Sequence, residues 1–257
     1  MVKKVLKNTY TSLIYLFLYL PIVLLIIFSF NDSKYKGSWE GFTLKWYKEL
    51  LRDSSIMDAV YYTFMIAIIG ALVATVLGTI TAIAIDSMSK KYKNIYMNTV
   101  YLPVMSPDIV IGISMLALFV GMKMRLGFLT LLISHITFNT PYVVLAVLPK
   151  LKQLDSNLAE AAMDLGATPL QAFFKVVLPE IMPGILTGAL LSFTLSLDDF
   201  MVSFFTTGSG VNTLSIKIYS MTKRGITPKI NALSTVMFLG VLVLLLILQR
   251  RDSKSLR

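Results

Sequence analysis

The sequence predicts an all-α integral membrane protein with six transmembrane helices. Of its 257 residues, 56% are apolar and only 15% are charged, and the mean hydropathy is +0.73. These values lie far from those of soluble globular domains. Six apolar runs account for the excess, and each is close to the roughly 20 residues that a helix needs to cross a bilayer. Because open sheets leave backbone groups unpaired in lipid, we expect every run to be a helix.

The six predicted spans form one transmembrane domain that covers residues 1–257. They lie near residues 10–30, 59–85, 98–120, 127–148, 181–205 and 231–249. The first run follows Lys3, Lys4 and Lys7, as a signal peptide would. Its apolar part continues for about 20 residues without a small-residue cleavage site, so we interpret it as a retained anchor.

Basic residues next to the spans predict that both termini lie in the cytoplasm. The total count of Lys and Arg differs little between the two sides. Their clustering is more informative, because three lysines crowd residues 90–93 and three basic residues follow the last span at 250–254. Such clusters are typical of cytoplasmic flanks.

Composition excludes several classes of function. The net charge of +10 comes from Lys and Arg that flank apolar runs, which argues for contact with membrane lipid and against nucleic-acid binding. The absence of cysteine excludes disulfides, thiolate metal sites and cysteine nucleophiles. His135 is the only histidine, so a dedicated metal site is not expected. We predict that it hydrogen-bonds a neighbouring helix rather than relaying protons, because no acid lies one helical turn away in the sequence. We find neither a phosphate-binding loop nor a nucleophile–base set, so no catalytic residue and no cofactor is predicted.

Residues 149–180, between the fourth and fifth spans, carry two helix-start signals. Asn157 precedes Glu160 by three residues, and "TPLQ" at 168–171 has Thr, Pro and Gln at the positions of a capped helix start. Gly166 lies between the two signals, where a helix end favours a residue that tolerates positive φ. The segment therefore predicts a short helix, a sharp turn and a second helix that enters the membrane.

This segment resembles the EAA loop of ABC-importer permeases. The matching residues are Glu160, Ala161, Ala162, Gly166, Val176 in place of the usual Ile, Leu178 and Pro179. The resemblance implies a coupling helix, beginning near Asn157, that docks in a cleft of a cytoplasmic ATPase. An amphipathic hairpin on the inner membrane surface is the alternative.

The resemblance extends from about Tyr15 to Leu233 and is to the polyamine branch of this family. It is carried by "LPIVLLIIFSFNDS", "GFTLKWY", "MSPDIVIGISMLALF", "SHITFNTPYVV", "AAMDLGA", "SFTLSLDDFMVSFFTTG" and "IKIYSM". It implies the type I importer permease (MetI-like) fold, with six membrane helices of which five form the shared core. It also implies a multi-pass protein of the bacterial cytoplasmic (inner) membrane.

The same resemblance implies partners that complete a transporter. These are a related second permease subunit, two copies of an ATPase that binds ATP and Mg, an extracytoplasmic polyamine-binding protein, and spermidine or putrescine as substrate. Two other possibilities remain open at this point. One is an importer permease for another small organic cation or an amino acid, and the other is a cation channel or transporter that needs no ATPase.

Three carboxylates lie within predicted spans and are candidates for the substrate pathway: Asp108, Asp198 and Asp199. An ionised aspartate at mid-membrane costs about 2.5–3.5 kcal/mol on insertion scales, so its charge must be offset or used. Polyamines are polycations, and membrane carboxylates would lower the barrier to their desolvation. Adjacent helical residues diverge by about 100°, so at most one of Asp198 and Asp199 is expected to be the main ligand, and its neighbour to cap or to pair with the partner subunit.

Two further features of the pathway are predicted with alternatives. Ser106 and Pro107 predict a helix break in the third span, after which Asp108 either caps the new helix or contacts the cation. Tyr219 and Phe200 could offer a cation–π face, or could simply pack. In the outer connection, residues 43–53 predict an amphipathic helix at the membrane surface.

Overall fold

The computed structural model describes residues 2–33, 38–155, 157–223, 225 and 227–255, with side chains from residue 6 to residue 243 within these ranges. Regular structure in the described residues is helical, and one isolated antiparallel bridge joins Asn31 to Phe42. The helices are α1 (Val2–Phe28), α2 (Lys45–Arg52), α3 (Ser54–Ser87), α4 (Lys90–Met105), α5 (Asp108–Gly121), α6 (Phe128–Gln153), α7 (Leu158–Asp164), α8 (Pro169–Ala172), a π-helical segment (Phe173–Val177), α9 (Leu178–Asp198), α10 (Met201–Thr206), α11 (Leu214–Lys223) and α12 (Pro228–Ser255).

Four helical runs are long and apolar enough to cross a membrane. They are Leu6–Phe28, Ser54–Ser87, Phe128–Gln153 and Pro169–Asp198. The pair α4 and α5 counts as a fifth span if it is taken as one broken helix. The last predicted span, 231–249, falls on α12, whose described apolar part, Pro228–Val243, is shorter. The all-helical membrane fold is thus confirmed, and the count of six spans stays a prediction.

The predicted break in the third span is confirmed at Ser106 and Pro107. Ser106 is extended (φ −82°, ψ 142°), as expected of a residue before proline. Its hydroxyl donates to the carbonyl oxygen of Leu102 at 2.7 Å and thereby closes the end of α4. The two halves meet at 106°, so the run 98–120 is two helices of different direction and not one straight span.

The lysine cluster at 90–93 lies ahead of the third span as predicted at 98–120, but it is already helical. The helix α4 begins at Lys90, after Ser89, whose extended backbone (φ −63°, ψ 151°) precedes the first helical turn. Lys93 Nζ lies 2.7 Å from Asp86 Oδ1 at the end of α3. The side chains of the second cluster, at 250–254, lie outside the described residues.

Residues 58–216 form one of two compact units, and its core lies between α6 and α9. Small residues of α9 allow close approach: a Cβ added to Gly188 would stand 3.1 Å from Val143 Cα, and one added to Gly184 would stand 3.0 Å from the carbonyl oxygen of Ala146. Small residues at a helix crossing are how membrane helices gain dispersion contacts, because lipid supplies no hydrophobic drive between them. The buried cluster around this crossing is Ala82, Ile85, Val143, Val144, Val147, Leu148, Leu151 and Ile181.

Residues 1–57 and 217–257 form the second unit, in which α2 contacts α12 and α12 contacts α1. The predicted amphipathic helix is present as α2. It buries Trp46 and Leu50, while Leu51 is 75% exposed. The indole Nε1 of Trp46 donates to the carbonyl oxygen of Asn31 at 2.7 Å, which fixes α2 against the preceding loop.

Candidate functional site

The two adjacent aspartates lie at a break in the fifth apolar run. The sequence predicted one run over 181–205, whereas α9 ends at Asp198 and α10 begins at Met201. Asp199 between them is extended (φ −61°, ψ 128°). Because non-helical backbone inside a membrane must face protein or a watery cavity, this break points to a pathway.

A cavity of about 330 Å³ opens beside this break and brings the three predicted carboxylates together. Its lining includes Asp108, Asp198, Asp199, Phe138, Tyr142, Thr194 and Phe200. The volume lies at the lower end of the range for small-molecule sites, roughly 300–1,000 Å³. The sequence placed Asp108 and the aspartate pair in separate spans, so their meeting in one cavity is a finding of the structure.

Asp199 caps α10. Its Oδ1 accepts from the backbone N–H of Val202 at 3.2 Å, and its Oδ2 accepts from the backbone N–H of Ser203 at 2.7 Å. Its side chain is only 7% exposed. A carboxylate at a helix start satisfies N–H groups that have no partner within the helix. The ligand sites of Asp199 are therefore largely used within this chain.

Asp198 and Asp108 are exposed, and within the described residues neither carboxylate accepts a hydrogen bond. Asp108 lies in the first turn of α5, where its charge complements the positive end of the helix dipole, but it makes no capping hydrogen bond in the part of the chain that is described. Asp198 is the last residue of α9, where the helix dipole carries about −0.5 charge and disfavours a carboxylate. A cation in the cavity would complement both the side chain and the helix end.

Aromatic rings form part of the cavity wall. Phe200 lies there, and its ring centroid is 5.5 Å from that of Phe204; its role as a cation–π face stays a prediction. Tyr142 lies there too and was not singled out from the sequence, where "TPYVV" gives no periodic signal that separates it from packing residues. Tyr219 belongs to α11 in the other unit, and Lys223 Nζ stands 4.8 Å from its ring centroid.

A buried polar cluster lies directly behind Asp199. The fully buried imidazole of His135 has Nδ1 3.0 Å from Ser196 Oγ on α9 and Nε2 3.0 Å from Ser203 Oγ on α10. The prediction that His135 hydrogen-bonds a neighbouring helix is confirmed. Nε2 also stands 3.6 Å from Asp199 Oδ2, an acid that sequence spacing along the helix could not reveal. Asn139, one helical turn after His135, donates to Ser196 Oγ at 2.7 Å. Two polar side chains four residues apart in an apolar run are the feature of the sequence from which this cluster could have been predicted.

Three local signals were predicted between α6 and α9, and two of them, the turn at Gly166 and the cap at Thr168, are present in the structure. Gly166 has φ +89°, and its N–H donates to the carbonyl of Met163 while the N–H of Ala167 donates to that of Ala162. This is a Schellman motif. Thr168 and Gln171 exchange the two hydrogen bonds of a capping box, at 3.3 and 3.0 Å.

Asn157 is the exception. The helix does begin after it, but its side chain makes no capping hydrogen bond, so the predicted box with Glu160 is wrong. The backbone of Asn157 is near-helical (φ −88°, ψ −5°), which differs from the extended conformation of a capping residue. Its N–H instead donates to Asp155 Oδ1 at 2.9 Å.

The short helix α7 buries none of its residues, whereas the start of α9 is tied to the core. Glu160 and Ala161 are exposed, and Leu165 at the helix end is 92% exposed. Leu178 packs against the core cluster, and Pro179 follows it in the first turn of α9. The helix α7 itself contacts α8 and the π-helical segment, which leads into α9.

Comparison with known proteins identifies the family. Residues 74–251 match the family described as "Binding-protein-dependent transport system inner membrane component". The chain belongs to this family. It is 42% identical over 96% of its length to the "Spermidine/putrescine transport system permease protein PotC" of Escherichia coli (strain K12), of which it covers 93%. It is 39% identical over 97% of its length to the protein of the same description in Haemophilus influenzae, covering 97% of it.

A third relative is the "Putrescine transport system permease protein PotI" of Escherichia coli (strain K12), 42% identical over 85% of this chain and 80% of that protein. Since these family members are permease proteins, the chain is a transport component and not an enzyme. Among the described residues, no group of three His, Asp or Glu side chains could hold a metal ion.

Solved structures share the fold. A bacterial ABC transporter involved in import of the acidic polysaccharide alginate has a chain that aligns with a TM-score of 0.73 and 17% identity, over 96% of this chain and 93% of that one. An amino acid ABC transporter with histidines aligns with a TM-score of 0.59 and 20% identity, over 82% and 100%. At these identities the likeness shows the importer permease fold and says nothing about substrate.

Proposed function

We propose that this chain is one transmembrane subunit of an ATP-driven importer of polyamines and forms half of the translocation pathway. The observation that carries the proposal is the cavity at the break of the fifth run, where the carboxylates of Asp108 and Asp198 are exposed and accept no hydrogen bond within the described residues. The curated relatives described above carry spermidine or putrescine in their names.

The electrostatics of the cavity favour a polycation. A dication or trication loses hydration when it enters a narrow pathway, and carboxylates offset that cost. Asp198 contributes its own charge together with the negative end of α9. The same arrangement opposes anionic cargo.

Each cavity residue has a separate proposed role. Asp198 is the main ligand of the ammonium groups, Asp108 is the second, and Asp199 is the cap that keeps the break in place. Phe200 in the wall, and Tyr219 of α11 further along the chain, are proposed aromatic contacts of the pathway.

The coupling role belongs to the segment around α7. The exposed residues Asn157, Glu160 and Ala161 and the partly exposed Ala162 would contact a cleft of the ATPase. The turn at Gly166 sets the angle between this helix and the next. Leu178 and Pro179 would transmit the movement into α9, and ATP and Mg would stay with the ATPase.

The proposed complex contains a related second permease, two ATPase copies and an extracytoplasmic polyamine-binding protein. We place it in the inner membrane, with both termini of this chain in the cytoplasm. The segment that follows α10 would then lie outside, within reach of the binding protein.

The deciding experiment is uptake of radiolabelled putrescine and spermidine by the complete complex in liposomes. Asp198→Asn should lower the rate about tenfold or more, because it removes the least satisfied charge of the pathway. The matched control is Asp32→Asn, which neutralises an exposed carboxylate of the outer loop and should leave uptake unchanged.

Equal rates for wild type and Asp198→Asn would contradict the pathway role. Uptake of an amino acid or another organic cation, with no uptake of polyamine, would contradict the substrate assignment. The two results are separable because the same preparation serves both assays.

A further inference from the structure

We infer that His135 is a positioning residue that acts through Asp199: it holds this carboxylate on the first turn of α10 and so fixes the break beside the cavity. The inference rests on the proposed function, since the break lines the proposed pathway. It assigns a role to a buried side chain that the pathway itself does not use.

The imidazole ring of His135 on α6 contacts both α9 and α10. Ser196 lies on α9 before the break and Ser203 lies on α10 after it, and each hydroxyl is 3.0 Å from one imidazole nitrogen. His135 itself is on α6, which contacts both helices. One side chain therefore spans the two ends of the broken run, and no other described side chain bonds to both.

The direction of the hydrogen bonds follows from the donors present. Asn139 Nδ2 can only donate, so Ser196 Oγ accepts from it and its own proton is directed to Nδ1 of the imidazole. A neutral imidazole then carries its proton on Nε2, which faces Ser203 Oγ at 3.0 Å and Asp199 Oδ2 at 3.6 Å. The ring N–H therefore donates to Ser203 Oγ, and the carboxylate of Asp199, which accepts from the backbone N–H of the same Ser203, lies next to it with Oδ2 3.6 Å from Nε2.

Packing leaves the ring little freedom. His135 is fully buried, and the ring of Phe138 meets it edge to face at 5.3 Å between centroids. On the α3 side, a Cβ added to Gly70 would stand 3.5 Å from His135 Cβ. Among the charged groups of the described chain, Asp199 is the one in contact with the ring. If the imidazole is replaced, Ser196 and Ser203 therefore have few other hydrogen-bond partners within reach.

The test is a pair of double-mutant cycles, read as polyamine uptake by the complete complex in liposomes and normalised to the amount of assembled complex. His135→Phe removes both hydrogen bonds and should lower uptake about tenfold. With Asp199→Asn already present, the carboxylate that His135 positions is gone, so adding His135→Phe should change uptake little. With Asp198→Asn present, the losses should multiply to about a hundredfold.

A purely structural histidine would multiply the loss equally in both backgrounds, and that result overturns the inference. Two conservative variants keep the test decisive if His135→Phe does not assemble. His135→Gln places an amide near the Nε2 position and should stay within about threefold of wild type, whereas His135→Asn reaches only the Nδ1 position and should resemble Phe. Equal or better uptake with Asn than with Gln also overturns it.

The readouts separate this inference from the proposed function. Absence of polyamine uptake by the wild-type complex would contradict the proposed function alone. Coupling between positions 135 and 199 would then be measured as the non-additivity of their effects on the thermal unfolding midpoint of the complex. Additive midpoint shifts would overturn the inference in that case.

Discussion

At the scale of single residues, an ion pair fixes the start of α3. Asp53 lies between α2 and α3, and its Oδ2 accepts from Lys229 Nζ at 2.5 Å while its Oδ1 accepts from the N–H of Ile56 at 3.3 Å. The hydrogen bond from Lys229 holds the pKa of the Asp53 carboxyl below its usual value of 3.8, although partial burial opposes the shift. The pair joins the start of α3 to the start of α12.

This pair predicts a dependence of stability on pH. Because the folded-state pKa of Asp53 is depressed, its contribution is complete above pH 3.8 and is lost as the pH falls through the lowered pKa. Asp53→Asn should therefore lower the unfolding midpoint at neutral pH, by the equivalent of about 1 kcal/mol or less, and the difference from wild type should shrink below pH 3.8.

The midpoint can be followed by the emission of the buried Trp46, which lies in the same unit as Asp53. Asp32→Asn is the control, because this exposed carboxylate is paired with Lys45 only at 4.0 Å, and it should change the midpoint at neutral pH less than Asp53→Asn does. A difference between Asp53→Asn and wild type that stays constant from pH 7 to about pH 3 would contradict the assignment.

The roles of Asp198 and Asp199 could be predicted from the sequence only in part. The sequence was sufficient to predict that Asp198 and Asp199 differ, because adjacent helical side chains diverge. The structure separates them differently: the helix ends between them, so Asp199 turns to cap α10 and Asp198 stays on α9. The same carboxylate has His135 Nε2 3.6 Å from its Oδ2, and local patterns do not reveal a neighbour more than 60 positions earlier in the chain.

At the scale of elements, the turn after α7 depends on the backbone conformation of a single residue, Gly166. Gly166 adopts φ +89°, a conformation that costs a residue with a Cβ about 1 kcal/mol, although an added Cβ would meet no atom within 4 Å. Gly166→Ala should loosen the angle between α7 and α8 without disturbing the core. We expect several-fold less polyamine taken up per ATP hydrolysed, with normal amounts of complex.

The matched control is Gly121→Ala at the end of α5, where an added Cβ is also free of contacts and no positive φ is required. The measurement is the ratio of uptake to ATP hydrolysis in the same liposomes. The parallel substitution Glu160→Ala should lower the same ratio if the exposed face of α7 docks on the ATPase. Normal ATP-dependent uptake by both the Gly166 and Glu160 variants would remove the coupling role from this segment.

Elements also differ in how far local sequence determines them. The cap at Thr168 and the turn at Gly166 depend on residues three or four positions apart, and both were predictable. The failed cap at Asn157 and the helical start at Lys90 show the limit of that reasoning, because a capping residue type is present in both places and neither side chain makes the cap. The π-helical segment Phe173–Val177 had no signal in the sequence.

At the scale of the whole molecule, hydropathy was sufficient for the fold class and insufficient for the site. Apolar runs specify helices in lipid because every backbone group must find a partner within its own segment. Hydropathy carries no information on direction, so the 106° bend between α4 and α5 was not predictable in size. The cavity joins Asp108 to the break some 90 positions later in the chain, and only tertiary packing brings them together.

The fold leaves large apolar surfaces uncovered within this chain. The apolar run of α1 has no buried residue, α4 buries none, and α5 buries only Gly112 and Phe119. Asp108 and Asp198, which belong to the same unit as α4 and α5, are exposed as well. Lipid along one side of the proposed polyamine pathway would leave the cargo against hydrocarbon, so we expect the proposed second permease subunit to supply the other wall.

This predicts that the isolated chain transports nothing. Reconstituted alone in liposomes with a polyamine gradient, it should give uptake no greater than empty liposomes, with or without ATP. The complete complex with its binding protein should take up polyamine only when ATP can be hydrolysed, and a non-hydrolysable analogue should abolish uptake. Gradient-driven uptake by the chain alone would instead establish a channel or ion-coupled transporter built on the same carboxylates. Asp198→Asn in that preparation would then show whether the cavity at the break is its pore, because a pore through this cavity must lose cation flux with that charge.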